Sequence, residues 1–159
     1  MFIDNLNSDS NEKVTVYIPC FGYEKFVEKA IISLLFQTYK NYECIVFILD
    51  SDQEGRKIIE STIVNDSRFM VKELSKKPSM QILGNIVLSS TSSKYILRLD
   101  ADDRLDIYGL QILVNAANKN EMIAMVWGCF YYCHENGDIY DISPYKSLLS
   151  DRKDPPHGA

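Results

Sequence analysis

The segment Glu43–Leu49 reads ECIVFIL, an apolar run with a single charged residue at its start. A strand of this kind shows no in–out alternation, so both of its faces must be buried. That requirement selects a mainly parallel sheet with helices on its two faces. The rest of the chain supplies the matching parts. Val14–Ile18 (VTVYI) is β-branched and aromatic and predicts a strand ended by Pro19-Cys20-Phe21-Gly22. Glu24–Gln37 places apolar residues at 26, 27, 30, 31, 34 and 35, the spacing of a helix. After the turn Asp50–Gly55, the pattern predicts a helix over Arg56–Asn65, a strand over Phe69–Leu74 and a helix over Met80–Ser90. A strand over Tyr95–Leu99 and a helix over Ile107–Asn118 follow. Met122–Cys133 is long, apolar and aromatic and predicts a further strand. Glu135-Asn136-Gly137-Asp138 then signals a hairpin whose returning strand is Ile139–Ile142.

A chain of 159 residues with 46% apolar content suits one domain with its own core. Residues 1–12 and 146–159 are polar and read as tails around a domain at 13–145. No apolar stretch approaches the roughly 20 residues of a membrane helix, and the amino-terminal MFIDNLNSDSNEK resembles no targeting peptide. Cys20, Cys44, Cys129 and Cys133 do not reach zinc-ligand spacing even with His134, so they read as buried thiols of a reducing, cytoplasmic setting. The net charge of −5 and the lack of a basic run exclude a nucleic-acid binder. The same charge would repel a phosphorylated ligand unless a cation or a local positive patch intervenes.

Ligands of open sheets sit beyond the carboxyl ends of the strands, which directs attention to Pro19–Tyr23, Asp50–Gly55 and Asp100–Asp106. Leu99-Asp100-Ala101-Asp102-Asp103 delivers three carboxylates at the end of one strand. Such crowding is costly without a cation, and Mg²⁺ or Mn²⁺ takes oxygen ligands while sharing a substrate's phosphates. In extended chain Asp100 and Asp102 would point to one side. The alternative use of these acids is to cap the following helix. Asp50-Ser51-Asp52 repeats the pattern at an earlier strand end, where a solvated turn is the plain alternative. Phe21 by itself reads as a core aromatic and Lys76-Lys77 as a solvated pair. His134 and His157 have no visible partners.

Taken in order, VTVYIPCFGYEKFVEKAIISLLFQTYKNYECIVFILDSD and KYILRLDADDRL resemble the nucleotide-sugar-binding half of glycosyltransferase family 2, of GT-A fold. The resemblance covers residues 14–106 well and 122–142 loosely. It implies a mixed, mainly parallel sheet flanked by helices with a carboxyl-terminal hairpin, and transfer of a sugar from a nucleoside-diphosphate sugar with inversion. Pro19 and Phe21 match the turn that lines the base, although PCFG stands where the family commonly has P-T-Y-N. Asp50 matches the acid that recognises the base, commonly uracil. Because ILDSD replaces the usual D-D-G-S, Asp52 is the alternative. Asn85 matches an asparagine near the nucleotide, and Gly84 replaces the basic residue often beside it, so that Lys76 or Lys77 would serve instead. Asp100 matches the ribose or metal contact and Asp102 the divalent-metal ligand, Mn²⁺ or Mg²⁺.

The carboxylate base that inverting members use to deprotonate the acceptor comes from a later segment, and no residue here matches it. Asp151 and Asp154 lie in the polar tail. The expectation is therefore a truncated chain that binds donor with weak or absent transfer. The acceptor, a carbohydrate, a lipid-linked glycan or a protein, is left open, as is peripheral membrane association of a longer protein. Two rival expectations remain: a sugar-phosphate nucleotidyltransferase, disfavoured by the single glycine of PCFGYEKF, and a non-catalytic nucleotide-binding or interaction module of the same fold.

Overall fold

The computed structural model describes residues 11–142. They fall into two compact units that meet in sequence at Ile123 and Ala124. The expected tails, with Asp151, Asp154 and His157, lie outside the described residues apart from Asn11 and Glu12. Glu12 is tied down: its carbonyl accepts from the Tyr39 hydroxyl, and its carboxylate meets Lys94 Nζ at 2.9 Å.

The first unit holds a four-stranded sheet of β1 (Val14–Pro19), β2 (Tyr42–Leu49), β3 (Phe69–Leu74) and β4 (Tyr95–Arg98). Its order is β3-β2-β1-β4 and every pairing is parallel. The helices are α1 (Glu24–Leu35), α2 (Gln53–Ile63), α3 (Met80–Ser90) and α4 (Gly109–Ala117). The predicted alternation is thus the observed one, with small differences at the boundaries. Helix α2 starts three residues earlier than predicted, because Asp52 caps it.

The two sheet faces carry separate cores. Val14, Val16 and Ile18 of β1 and Cys44, Val46 and Ile48 of β2 pack with Val27, Ala30, Ile31 and Leu34 of α1, Ile59 of α2, and Leu110 and Val114 of α4. Tyr17 and Phe47, on the opposite face, pack with Phe21 and with Leu83 and Val87 of α3. Burial of β2 on both faces is what ECIVFIL requires. Each fully buried Leu, Ile or Val contributes roughly 1.5–3 kcal/mol, so the strand–helix contacts dominate the stability of this unit. The chain steps from β1 to β2 to β3 with α1 and α2 on one face. It then returns past β2 and β1 to β4 with α3 on the other. Right-handed crossovers demand that change of face when the direction reverses.

Among the described residues two polar side chains are fully buried, Thr15 and Gln37. Thr15 Oγ1 lies 2.7 Å from Glu43 Oε1, 2.6 Å from Thr91 Oγ1 and 2.8 Å from Ser93 Oγ, which fastens the α3–β4 connection to the amino end of the sheet. Gln37, just past the end of α1, makes a second set of bonds. Its Nε2 donates to the carbonyls of Ser33 (2.9 Å) and Asp106 (2.6 Å), and its Oε1 accepts from the Leu110 amide at 2.9 Å. Ser33 Oγ accepts from the Leu105 amide at 3.1 Å. Ser33 of α1 and Gln37 just beyond its end therefore anchor Leu105 and Asp106, ahead of α4, and Leu110 in its first turn.

In the second unit the hairpin is present as predicted, but the strand is shorter. Only Tyr131–Cys133 (β5) pairs with Ile139–Ile142 (β6), antiparallel and with an irregularity between Tyr132 and Cys133. Residues 123–130 pair with no strand among those described, because an apolar extended sequence becomes a strand only where another backbone accepts its hydrogen bonds. Gly137, at φ 98°, makes the turn. Phe130, Tyr132, Tyr140 and His134 form a chain of ring contacts along the hairpin. The expectation of four buried thiols needs correction. Cys20 and Cys44 are buried, whereas Cys129 and Cys133 are exposed in the hairpin unit, and none of the four is in a disulfide.

Candidate functional site

Strands β1 and β4 are neighbours whose connections run opposite ways: α1 leads outward from β1 to β2, and β4 is reached from β3 back across the sheet through α3. Such a reversal opens a crevice at the carboxyl edge. A cleft of about 260 Å³ lies there. Its walls are Pro19, Phe21 and Tyr23 from the β1–α1 turn, Lys77 and Met80 from the start of α3, and Arg98, Asp100, Ala101 and Asp102 from the end of β4. The structure thus brings Pro19, Phe21, Asp100 and Asp102 together, as the sequence expectation grouped them.

The acidic segment is not extended. Asp100 to Asp103 form a turn closed by the Asp103 amide on the Asp100 carbonyl at 3.0 Å. The alternation argument for Asp100 and Asp102 therefore does not apply; the turn is what sets both on the cleft. Nor do these acids cap a helix. Helix α4 begins only at Gly109, with no side-chain cap at Tyr108, and Asp106 Oδ1 takes the Tyr108 amide at 2.9 Å. The turn is instead steadied from both sides, by the Leu99 amide on the Tyr17 carbonyl (3.0 Å) and by the Gln37 and Ser33 anchors further on. Burial, then the charges of Asp102 and Asp100, push the Asp103 carboxyl above the usual aspartate range, with Arg98 opposing. Arg98 Nη2 donates to Asp100 Oδ2 at 2.7 Å.

Phe21 is the core aromatic it reads as by itself. It is only 7% exposed and belongs to the α3-side core, yet it also lines the cleft. Its ring is a wall, with Lys77 Nζ 6.0 Å from its centroid. Tyr23, 45% exposed, is the more accessible ring of the cleft. Gly22 makes the turn between them at φ 88°, a conformation that L side chains rarely adopt. Lys77 lines the cleft, whereas Lys76 is exposed and outside that lining. Lys77 and Arg98 place two positive charges on the cleft wall, where Asp100 and Asp102 balance them.

The other expected residues stand apart. Asp50 is exposed at the end of β2, its amide on the Leu74 carbonyl at 3.0 Å. Asp52 caps α2, its Oδ1 accepting from the Gly55 amide at 2.8 Å. Its Oδ2 is buried with no protein donor. Burial pushes the Asp52 carboxyl up, and Glu24 and Glu54 push the same way against the Gly55 amide. Burial, Glu24 and Asp52 together push the neighbouring Cys20 thiol up to about 12, which makes it inert at neutral pH. Asn85 is exposed on α3, outside the cleft lining. Sequence reasoning did not single out Tyr23, Met80 or Arg98, nor the positioning pair Ser33 and Gln37. A buried glutamine within the apolar stripe SLLFQ was the available signal for the last.

No cluster of three or more His, Cys, Asp or Glu side chains converges as a metal cage among the described residues. The donor set of the cleft suits a different arrangement. Two aspartates facing one cleft match the few carboxylates that Mg²⁺ or Mn²⁺ takes from protein when phosphates complete the shell. No helix among the described residues is long and apolar enough to cross a membrane.

Comparison with known proteins agrees with this architecture. The chain is 22% identical over 130 residues to glycosyltransferase GlyG of Streptococcus pneumoniae serotype 4, which covers 82% of this chain and 43% of that protein. It is 29% identical over 129 residues to the Escherichia coli UDP-Glc:alpha-D-GlcNAc-diphosphoundecaprenol beta-1,3-glucosyltransferase WfgD, covering 79% and 49%. The chain thus spans less than half the length of either relative. Among solved structures, the mannosyltransferase PcManGT from Pyrobaculum calidifontis, in complex with GDP-Man and Mn²⁺, superposes with a TM-score of 0.63 at 16% identity, over 70% of this chain and 34% of that one. The fold is GT-A. The sequence pattern of the family described as "Glycosyl transferase family 2" matches residues 15–156. On this match and this fold, the chain belongs to glycosyltransferase family 2.

Proposed function

We propose that residues 13–145 are the donor-binding domain of a metal-dependent, inverting glycosyltransferase that uses a UDP-linked sugar. The observation that carries this is the joint placement of Asp100 and Asp102 on a cleft walled by Pro19, Phe21 and Lys77, with neither acid used as a helix cap. Asp102 and Asp100 would hold Mn²⁺ or Mg²⁺, which supplies charge neutralisation to a departing diphosphate. Pro19 and Phe21 bound the base. Asp50, exposed at the end of β2, contacts its edge, and Asn85 lies toward the nucleotide; Asp52 is committed to capping α2 instead. Asp100 also serves the ribose. Support for a UDP donor and a lipid-linked acceptor comes from the name of the E. coli relative, and support for manganese from the mannosyltransferase complex. A cytoplasmic setting suits four cysteines that form no disulfide. The acceptor hydroxyl must lose a proton as it attacks, a task for a carboxylate that the described residues do not identify.

Titration calorimetry of the chain with UDP tests the proposal. Binding is expected in Mn²⁺ and is expected to weaken on adding EDTA. UDP affinity that is identical with Mn²⁺, with EDTA and in Asp102→Ala would remove the metal role.

A further inference from the structure

We propose that Arg98 is the resident counter-ion of Asp100, gives up that carboxylate when a divalent cation is bound, and then pairs with the donor's diphosphate. The inference deepens the donor-binding function proposed above and rests on it. Three observations carry it. Arg98 Nη2 holds Asp100 Oδ2 at 2.7 Å, so the carboxylate expected to face the metal is engaged by a guanidinium. The pair is open to solvent, with side-chain exposures of 47% and 37%, and solvent-exposed pairs are weak enough to exchange. Both residues line the same cleft as Lys77 and Asp102, so a released guanidinium needs no long excursion to meet a ligand there.

The chemistry favours arginine in this role. Its guanidinium stays protonated at any working pH, so it leaves Asp100 by displacement and never by losing its charge. Its planar donors fit two phosphate oxygens at once, which an ammonium does not. With Asp100, Asp102 and Asp103 inside four residues, Arg98 also offsets a like-charge repulsion that would otherwise splay the turn before any cation arrives. Register places Arg98 beside Tyr17 on the face that carries α3, the same face as Phe21.

The test uses the 159-residue chain and two separate titrations. Mn²⁺ binding without nucleotide is read by electron paramagnetic resonance of the free ion. UDP binding at saturating Mn²⁺ is read by calorimetry. Arg98→Gln is expected to tighten Mn²⁺ binding by about two- to fivefold, because a competing surface ion pair is gone. The same variant is expected to weaken UDP binding by roughly tenfold or more, because charged hydrogen bonds to phosphate are lost. Opposite signs are the signature, since a merely structural role would weaken both. Arg98→Lys is expected to restore wild-type Mn²⁺ affinity and to recover only part of the UDP affinity. If the wild type binds both ligands and Arg98→Gln matches it, or loses affinity for both, this inference is overturned alone. If the wild type binds neither Mn²⁺ nor UDP, the donor-binding function is overturned and this inference with it.

Discussion

At the end of β2, Asp50-Ser51-Asp52 runs straight into a helix; at the end of β4, Asp100-Ala101-Asp102-Asp103 is separated from the next helix by residues 104–108. Both turns lie at the carboxyl edge of one sheet and both carry aspartates two apart. In the first, the amides of α2 stand within reach, so Asp52 satisfies Gly55 and becomes part of the scaffold. In the second, Asp106 takes the amide ahead of α4, and the carboxylates of Asp100 and Asp102 are left on the cleft. Position relative to the next helix, not composition, separates a structural acid from a candidate ligand.

The widest gap between the turns should appear in binding. Asp102→Asn is expected to cost at least about tenfold in UDP affinity in Mn²⁺, roughly 1.4 kcal/mol or more, while its unfolding midpoint in urea stays at the wild-type value. An equal loss in EDTA would break the comparison. The scaffold turn should answer in stability. A Cβ on Gly55 would collide with Asp52 Oδ2 and sit 2.8 Å from Glu24 Cγ. Gly55→Ala is therefore expected to lose about 1–3 kcal/mol in urea unfolding despite alanine's better helix propensity.

Asp52→Ala removes the cap and is expected to lose about 1 kcal/mol, whereas Asp52→Asn keeps it and should lose little. If the two variants unfold alike, Asp52 is not acting as a cap. The smallest effect concerns pH. The folded protein holds the Asp52 proton more tightly than the unfolded chain does, where the ordinary value is 3.8. Its contribution to stability therefore falls as pH rises from there through the raised folded value. Asp52→Asn should flatten that part of a stability profile measured by urea unfolding from pH 3.5 upward; an unchanged slope would show that Asp52 does not produce it.

Much of this protein is legible in local pattern. ECIVFIL announced a strand with two buried faces, and the stripe at 27, 30, 31 and 34 announced the helix that covers one of them. MQILGNIVLSS matches α3 at both ends, because Ser79 caps its first turn and its apolar phase is helical despite Gly84. The stretch 122–130, ahead of β5, misled for the opposite reason: β-character in sequence says nothing about whether a partner strand exists. The cleft was half legible. Asp100 and Asp102 could be named from their strand-end position, and Pro19, Phe21 and the choice of Lys76 or Lys77 from the family resemblance, but only the β1–β4 adjacency and the return of α3 bring Arg98 and Lys77 to the same cleft.

The sequence by itself determined the alternation of strand and helix, the parallel sheet and the edge at which a ligand would sit, because periodicity and chain-breaking residues act over a few residues at a time. Only the tertiary structure decided which aspartates a helix would claim and which would face a cleft beside Arg98 and Lys77. That choice depends on where Gln37 and Ser33 pin the β4–α4 segment, and such contacts join residues some seventy positions apart.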